Sequence, residues 1–463
     1  MDKTQFIPIM SNNIDLKRGL DIPISGTADL VVAKRVVTDR IAVKPSDFKG
    51  LLPRLLVREG DAVLAGSPLM ADKKNPDILV TSPVSGTVSG IVRGEKRKLL
   101  AVIIAPAAKQ EAIDFGARDI DALGAQEVRE ALLKSGLWTA LIQRPYGIVA
   151  DPAASPKAIF VSMFSTAPLA ADTTFTLGSE KDTLQAGLTA LGKLTDGPVH
   201  VCVDREDSPF AGFAGVETHV VTGRHPAGNV GIQISHISPI AKDEKVWTVS
   251  PALVSAIGKL FRKGTLNLWR KVAVCGPAAI QPSYIEALPG TPMTALGGFY
   301  GTTAAETRFI SGDVLSGTSV GEDGFLGFFD SQITLIREGR DEELFGWLRP
   351  FRIHQYSCDR TYFNWCLGWL TPKRRYDMDT NLHGGPRAFV MNDSYYAKVL
   401  PMDIYPLYLT KACLAGDIEK MEQFGIYEVL PEDLATCEFI DPSKNNIQSY
   451  IADGIDLMLK EMA

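Results

Sequence analysis

The chain of 463 residues balances 48 Lys and Arg against 54 Asp and Glu, which gives a formal net charge of −6. This length exceeds one ordinary hydrophobic core and predicts three or four domains. A slightly acidic chain without a basic cluster argues against nucleic acid as a partner, because binding to the phosphate backbone requires a positively charged surface.

The sequence predicts neither a targeting segment nor a membrane span. Residues 1–13 contain neither the basic stretch nor the apolar core of a secretory signal. The longest uncharged run, residues 287–305, is interrupted by Pro and Gly. A spanning helix needs about 20 predominantly apolar residues. These patterns predict a protein that is soluble or peripheral to a membrane.

Two segments near the N-terminus predict a small β-sandwich over roughly residues 14–104. Residues 56–70 read LVREGDAVLAGSPLM, with a turn at Gly60-Asp61, and residues 81–92 read TSPVSGTVSGIV. The alternating apolar positions, which would bury one face of each strand, are Val57, Val63, Leu69, Val84, Val88 and Val92. This pattern is typical of flattened half-barrels of the lipoyl and biotinyl type, which either carry a swinging cofactor or serve as docking modules.

The tip between these segments, residues 72–77, reads DKKNPD and contains Lys73 and Lys74. In lipoyl carriers, a lysine that follows an Asp at this hairpin is acylated by the cofactor. Here two lysines stand together and Asn75-Pro76 follow at once, so the tip departs from that pattern. The preferred interpretation is a pair of solvated charges, and a carrier role is the alternative.

The middle of the chain predicts an α/β domain. Residues 119–133 have the apolar spacing of an amphipathic helix. A buried strand at 158–163, a helix at 183–194 and a second buried strand at 198–203 follow. Strand, helix and strand at this spacing predict a parallel βαβ unit.

The rest of the chain changes character twice. Residues 219–240 alternate turn residues with β-branched ones and are predicted to be β-rich, and residues 272–276 and 284–290 predict two strands of another small β domain. Aromatic-rich helical segments begin after residue 341, and residues 400–460 read mostly as helix punctuated by Pro.

Motifs of catalysis and cofactor binding are not found at the expected places. No G-x-G-x-x-G follows either strand of the predicted α/β domain and no Walker lysine occurs, so nucleotide binding is not supported. His219, His225 and His236 fall in the predicted β-rich stretch, where turn and surface histidines are preferred over a metal site. The cysteines are scattered without a C-x-x-C pair, which argues against Fe–S and zinc sites; they are Cys202, Cys275, Cys358, Cys366, Cys413 and Cys437. We predict no catalytic, cofactor-binding or metal-binding residue.

One region suggests a contact with a partner. Trp365 and Trp369 precede the basic run Lys373, Arg374 and Arg375. Aromatic residues beside a basic cluster are typical of a membrane-surface or subunit-docking element. The two tryptophans, four residues apart, would equally suit core contacts of one helix.

Several blocks in order resemble the A subunits of the sodium-translocating NADH:quinone oxidoreductases, nearly end to end. They are residues 17–26 (KRGLDIPISG), 72–76 (DKKNP), 223–228 (GRHPAG), 257–261 (IGKLF), 311–317 (SGDVLSG), 338–340 (EGR) and 399–404 (VLPMDI).

This resemblance implies a multidomain α+β fold. Its parts are a barrel–sandwich hybrid domain of the lipoyl and biotinyl type over 1–106, a Rossmann-like α/β domain over 107–215 and a helical C-terminal domain over 337–463. Between them, a β-rich region over 216–336 would hold a soluble-ligand-binding β-grasp domain at about 257–312.

The resemblance also implies a subunit on the cytoplasmic face of the bacterial inner membrane. The complex oxidises NADH, reduces quinone and exports Na⁺, with FAD, FMN and an Fe–S centre in other subunits. The chain itself would bind no cofactor tightly and would contribute to the quinone-reduction end. Contact with quinone is possible, although no quinone ligand is named, and the other subunits are the expected partners.

A related branch, the Rnf-type subunits and the flavoprotein of respiratory NADH dehydrogenase, binds FMN and NADH through a glycine-rich loop. The matching place here reads Ser135-Gly136-Leu137-Trp138, whose bulky residues would block close approach of a phosphate. The proteins of that branch also have paired cysteine clusters near their C-termini. In this chain, the single Cys437 resembles what is left of such a cluster. The alternatives are a stand-alone flavin-dependent NADH dehydrogenase and a lipoyl-type carrier or docking module.

Overall fold

The computed structural model describes residues 12–301, 306–340, 355–356, 374–381 and 391–461. Its strands, numbered in chain order, are β1 Asn12–Leu16, β2 Asp29–Arg35, β3 Ile41–Val43, β4 Pro53–Leu55, β5 Ala62–Val63, β6 Pro68–Asp72, β7 Leu79–Thr81, β8 Gly86–Arg93, β9 Leu99–Pro106, β10 Ile142–Arg144, β11 Ile148–Val149, β12 Ala158–Ser162, β13 Val199–Val203, β14 Glu217–Gly223, β15 Val246–Thr248, β16 Arg270–Cys275, β17 Ser283–Ala287, β18 Thr307–Ser311, β19 Thr318–Ser319 and β20 Gln332–Arg337. Its α-helices are α1 Ala125–Ser135, α2 Thr173–Leu177, α3 Lys181–Gly192, α4 Val230–Ile237, α5 Pro251–Lys263, α6 Asp393–Val399, α7 Pro406–Ala415, α8 Ile418–Phe424, α9 Ala435–Ile440 and α10 Ile447–Glu461. Within these ranges, no helix is both long enough and apolar enough to cross a bilayer.

The N-terminal sandwich consists of two antiparallel sheets. One has the strand order β3-β9-β8-β5, and the other has the order β4-β6-β7. Val63, Leu69 and Val88 are buried between the sheets, as their alternation predicts. Val92 is 44% exposed, so its predicted inward position is wrong. The register of β8 against β9 shifts after Val88, which reverses the side-chain alternation from there on.

The α/β domain is built on a seven-stranded sheet with the order β1-β14-β13-β12-β15-β10-β11. The first five strands of this order run parallel, and β10 is antiparallel to both of its neighbours, β15 and β11. The predicted strands around Ile159 and Val201 are β12 and β13, whose apolar side chains are buried on both faces, as helix-covered parallel sheets require.

This sheet crosses the boundary that the sequence places at residue 215, because β14 pairs with β13 and β15 pairs with β12. The stretch predicted to be β-rich is only partly so. β14 is a strand, but residues 230–237 form helix α4, so that part of the prediction is wrong. Burial of Ile232 and Ile234 between the sheet and the C-terminal helices offsets the weak helix propensity of β-branched residues.

A second sheet of six strands follows, with the order β19-β18-β20-β16-β17-β2. The strands predicted within 272–276 and 284–290 are β16 and β17, which pair antiparallel. The N-terminal segment supplies the edge strand β2 here and the edge strand β1 of the seven-stranded sheet. Residues 257–263, expected at the start of a β-grasp domain, instead belong to α5, which packs against α3 of the α/β domain.

The C-terminal region is helical, as the sequence predicts, and contains α6 to α10. Its buried side chains, among them Tyr396, Leu409 and Ile451, form one hydrophobic cluster with Phe160 and Val221 of the seven-stranded sheet. The C-terminal helices therefore cover one face of that sheet. This packing places them beside α4 and the loop that precedes it.

Candidate functional site

The block at residues 223–228 lies at the carboxyl end of the parallel strands. It begins with the last residue of β14 and leads into α4. In open α/β sheets, ligands bind in the crevice outside this end. β13 lies between β14 and β12, and the block contacts the loop that follows β12, so it crosses the carboxyl end of β13.

Hydrogen bonds hold this block against the β12 loop. Gly228 N donates to Thr166 Oγ1 at 2.9 Å, and Ser162 Oγ donates to Gly228 O at 3.1 Å. A Cβ atom at Gly228 would lie 2.5 Å from Thr166 N, so only glycine permits this approach. Gln233 Nε2 donates to Ser162 Oγ at 2.9 Å and ties α4 to the same point. The carboxyl edge of the sheet is closed by the protein itself.

His225 is the central side chain of the block. It is 3% exposed, and its Nδ1 lies 3.2 Å from Thr166 Oγ1. Its backbone N–H donates to Asp21 Oδ1 at 3.1 Å, and its carbonyl accepts from Leu20 N at 2.8 Å. Burial lowers the pKa of His225, although the nearby carboxylates of Asp313 and Asp21 favour its charged form. The block 223–228 is thereby tied to the block 17–26.

A buried ion pair lies beside the first turn of α4. Arg144 donates to Asp433 Oδ2 at 2.9 Å, and the two side chains are 2% and 0% exposed. A second donor of Arg144 reaches Glu432 Oε1 at 3.0 Å. Both carboxylate oxygens of Asp433 lie within 2.6 Å of the place where Gly231 would carry a Cβ. An internal carboxylate therefore lies beside the first turn of α4, where its charge would repel an anionic ligand.

The neighbouring carboxylates keep Arg144 charged. Burial disfavours the charge of Arg144, but Asp433 and Glu432 together hold its pKa above the ordinary value. Arg144 Nε and Asp433 Oδ1 lack hydrogen-bond partners among the described residues. The pair joins the end of β10 to the C-terminal helical region, so it connects two parts of the fold that are distant in sequence.

An apolar crevice lies where the sandwich, the α/β domain and the six-stranded sheet meet. It is narrow, with a cavity volume of about 20 Å³ that has room for about one water molecule, and its lining includes Phe48, Leu137, Leu268 and Phe328. Lys44 is the cation in this lining, and its Nζ lies 3.2 Å from Asp47 Oδ1. The crevice thus combines aromatic walls with one charged pair.

The histidines are arranged differently from the sequence expectation. His219 is separated from His225, which lies in the 223–228 block, and from the exposed His236 on α4, whose Nδ1 contacts Ile232 O at 2.8 Å. His219 instead meets His200 of β13, with His219 Nε2 2.9 Å from His200 Nδ1. Glu217 Oε2 lies 3.3 Å from the same His200 nitrogen. Burial, with His219 close by, lowers the pKa of His200 to about 4.

Comparison with known proteins shows the family. Residues 14–107 match the model described as the NqrA N-terminal barrel-sandwich hybrid domain, and residues 123–266 match the NqrA second alpha/beta domain. A protein of Yersinia pestis bv. Antiqua (strain Angola), named as the A subunit of Na(+)-translocating NADH-quinone reductase, is 38% identical over 457 residues, which are 95% of this chain and 98% of that protein. A protein with the same name from Neisseria meningitidis serogroup A / serotype 4A (strain DSM 15465 / Z2491) is 37% identical over 458 residues, 97% of this chain and 100% of that protein. The chain belongs to this NqrA family.

These matches confirm the predicted family, the barrel-sandwich hybrid domain and the α/β character of the second domain. The match to the second domain extends to residue 266 and includes β14, β15 and α5. Among solved structures, the crystal structure of an NAD+-reducing [NiFe]-hydrogenase in the H2-reduced state aligns with a TM-score of 0.30 and 13% identity, over 47% of this chain and 50% of that one.

The segment at 135–140 is part of the core. Gly136 ends α1 with φ of +80°, and Leu137 and Trp138 are 1% and 0% exposed. Trp138 Nε1 donates to Ala150 O at 2.8 Å. Thr81 Oγ1 of the sandwich donates to Ser135 O at 2.8 Å, so this turn joins the two domains.

The lysines at the sandwich tip are exposed. Lys73 and Lys74 follow Asp72, whose buried carboxylate accepts from Leu52 N at 2.9 Å and from Asn75 N at 3.2 Å. These bonds fold the tip back onto the sandwich. The lysine side chains point into solvent from a fixed turn.

The remaining sequence candidates divide between described and undescribed residues. Trp365, Trp369 and Lys373 lie outside the described residues. The guanidinium of Arg374 lies 5.3 Å from the ring centre of Tyr376, whose backbone bonds to Pro23 and Ser25 of the N-terminal segment. Arg375 is exposed beside it.

The described cysteines do not meet in a cluster. Cys202, Cys275, Cys413 and Cys437 are buried as free thiols, and burial raises the pKa of each one. Cys358 and Cys366 lie outside the described residues. The prediction of single buried thiols is confirmed for the four that are described.

Proposed function

We propose that this chain is the peripheral A subunit of a complex that oxidises NADH, reduces quinone and exports Na⁺. The observation that carries the proposal is the match at 38% identity across 95% of the chain to a protein named for that reaction. The match extends over the sandwich, the α/β domain and the C-terminal helices alike. The other subunits of the complex are the partners, and the cytoplasmic face of the bacterial inner membrane is the site of assembly.

Within the complex, we assign this chain a scaffolding role without a redox centre of its own. The closed carboxyl edge at residues 223–228 and the Asp433 carboxylate beside α4 support this assignment, since both fill positions where α/β proteins bind nucleotides. FAD, FMN and the Fe–S centre then belong to other subunits. The sandwich serves as a docking module, because its tip is a short, internally bonded turn.

Contact of this chain with quinone is proposed for the assembled complex and not for the crevice lined by Phe48 and Phe328, because a volume of about 20 Å³ is too small for a quinone ring. A photoreactive quinone analogue on the assembled complex tests the contact and should label this chain. Labelling confined to other subunits rejects it.

Reconstitution tests the role of the chain in the complex. The complex assembled without this chain should lose Na⁺-stimulated quinone reduction, and addition of the purified full chain should restore it. NADH oxidation with an artificial electron acceptor serves as the control, because it reports the flavin end alone. Full quinone reductase activity and Na⁺ export in the absence of the chain would contradict the proposal.

A further inference from the structure

Three potential metal ligands lie together near the amino ends of two neighbouring parallel strands. His200 of β13 pairs directly with Glu217, the first residue of β14. Side chains alternate along a strand, so Glu217 and His219 point to the same face of β14. The C-terminal helices cover this face. Cys202 and Val221, which point to the same side of β13 and β14, belong to the hydrophobic cluster that the sheet forms with those helices. The fold therefore brings two imidazoles and one carboxylate to one spot.

The ligand atoms of these three residues all lie within 4.8 Å of one another. His200 Nδ1 is 2.9 Å from His219 Nε2 and 3.3 Å from Glu217 Oε2. In a tetrahedral zinc site with bonds of about 2.0–2.1 Å, ligand atoms stand about 3.3 Å apart. The observed spacing is close to that value, and small side-chain rotations would complete it.

Neither possible placement of the imidazole protons satisfies every polar atom of His200, Glu217 and His219. A neutral imidazole has one N–H and one lone pair. If His200 Nδ1 donates to His219 Nε2, the proton of His219 lies on Nδ1, which is buried without a partner among the described residues. If His219 Nε2 donates instead, the lone pair of His200 Nδ1 faces the Glu217 carboxylate. A cation at the centre would receive the lone pairs of His200 Nδ1, His219 Nε2 and Glu217 Oε2 and remove this repulsion, while the proton of His219 stays on Nδ1.

The surroundings suit a metal ion that is reached from one side. His200 and His219 are 4% and 5% exposed, and the Phe160 ring lies 4.4 Å from the His200 ring. This apolar wall strengthens coordination, and burial favours the neutral imidazoles that bind metals. The Glu217 side chain is 44% exposed, which leaves a path from solvent. Two imidazoles with one carboxylate suit Zn²⁺ and related transition metals rather than Ca²⁺ or Mg²⁺.

We propose that His200, Glu217 and His219 bind a divalent transition-metal ion of the Zn²⁺ class, with water as the fourth ligand. The ion clamps β13 to β14, because its ligands come from both strands. This site lies near the amino ends of the strands, whereas the 223–228 block lies at the carboxyl end. The inference does not depend on the proposed function of the complex.

Metal titration of the purified full chain, stripped with a chelator, tests the site. Co²⁺ should bind one equivalent with the intense visible absorption of four-coordinate cobalt, Zn²⁺ should displace it, and Zn²⁺ should raise the Tm. His219→Gln should weaken binding by at least about 100-fold, the upper end of the cost of losing an outer-shell partner. His236→Gln, which removes an exposed histidine of α4, is the matched control and should bind as the wild type does.

Glu217→Gln keeps the test decisive if His219→Gln fails to fold, because the Glu217 side chain is partly exposed. It should weaken Co²⁺ binding at least about 10-fold and reduce the rise in Tm at the same Zn²⁺ concentration. The proposal is overturned if the folded wild type shows no saturable Co²⁺ binding. Equal affinity in Glu217→Gln and His236→Gln overturns it as well.

Discussion

Arg144 and Asp433 are 289 positions apart in the sequence, yet their side chains form a 2.9 Å hydrogen bond in the interior. The pair attaches the C-terminal helical region to the end of β10, next to the first turn of α4. Removing one partner of such a buried pair leaves an uncompensated charge, which costs far more than losing an exposed pair.

We therefore predict that Asp433→Asn destabilises the full chain by about 3–5 kcal/mol in urea unfolding. Replacing both residues, as Arg144→Met with Asp433→Leu, should recover part of that loss, because the fully buried charge is then absent and the remaining carboxylate, Glu432, is 41% exposed to solvent. Glu130→Gln is the surface control, since Glu130 lies 3.5 Å from Lys134 on the exposed face of α1. Equal unfolding midpoints for Asp433→Asn and Glu130→Gln would show that the buried pair does not hold the helices in place.

The close approach of the two loops at the carboxyl edge yields a second prediction. Gly228→Ala should lower stability by about 1–3 kcal/mol, because the added Cβ would meet the backbone of Thr166 at 2.5 Å. Gly212→Ala is the matched control, since a Cβ at Gly212 would meet nothing within 4 Å. Thermal unfolding of both variants separates the two effects, and a Gly228→Ala variant as stable as Gly212→Ala contradicts the closed edge.

The buried His225 predicts a pH dependence of stability. Its pKa is lower in the folded chain than in the unfolded one, so below about pH 6.5 the unfolded chain takes up the proton first. Stability should therefore fall as the pH falls through this range, by up to about 1.4 kcal/mol per pH unit for this one group. Above that range the histidine is neutral in both states and contributes nothing to the slope.

Urea unfolding between about pH 7.5 and 5.5 measures this slope in the wild type and in His225→Gln. The pH dependence of the unfolding free energy should be smaller in the variant by the contribution of one proton. His200 and His219 are present in both proteins, so their contributions cancel when the two slopes are subtracted. The control is His236→Gln, which removes an exposed histidine from α4. Equal changes in the two variants would refute a special contribution from His225.

The exposed tip of the sandwich allows a simple test of the carrier alternative. Because two adjacent lysines followed by Asn75-Pro76 depart from the lipoyl pattern, we expect Lys73 and Lys74 to stay unmodified although both are exposed. The intact mass after expression in a lipoylating host should equal the mass of the bare chain. The double variant Lys73→Ala with Lys74→Ala should support quinone reduction by the complex as the wild type does. A mass increase that this double variant abolishes would revive the carrier alternative.

Patterns that depend on neighbouring residues could be predicted from the sequence, and patterns that depend on pairing could not. The alternation of Val63, Leu69 and Val88 placed the sandwich core correctly, whereas the position of Val92 depends on a register shift against β9 that no local pattern encodes. Similarly, α4 is a helix because of the packing around Ile232 and Ile234, against their local preference for strand.

The candidate sites follow the same division. Proximity in the sequence groups His219 with His225 and His236. In the structure, its partner is His200 on the adjacent parallel strand. The signal available in the sequence was Glu217-x-His219 opening one buried strand with His200 near the start of the one before it. The contact could not be predicted from this signal alone, because it depends on the register between β13 and β14. The partnership of Arg144 with Asp433 has no counterpart in any local motif.

The two N-terminal strands have a consequence for how the chain is made. β1 pairs with β14, with Asn12 beside His219, and β2 pairs with β17, with Arg35 beside Glu286. Both strands are therefore synthesised about 200 residues or more before their partners, and they stay unpaired during much of synthesis. Chaperones that hold nascent edge strands should matter more for this chain than for one whose N-terminal domain folds alone.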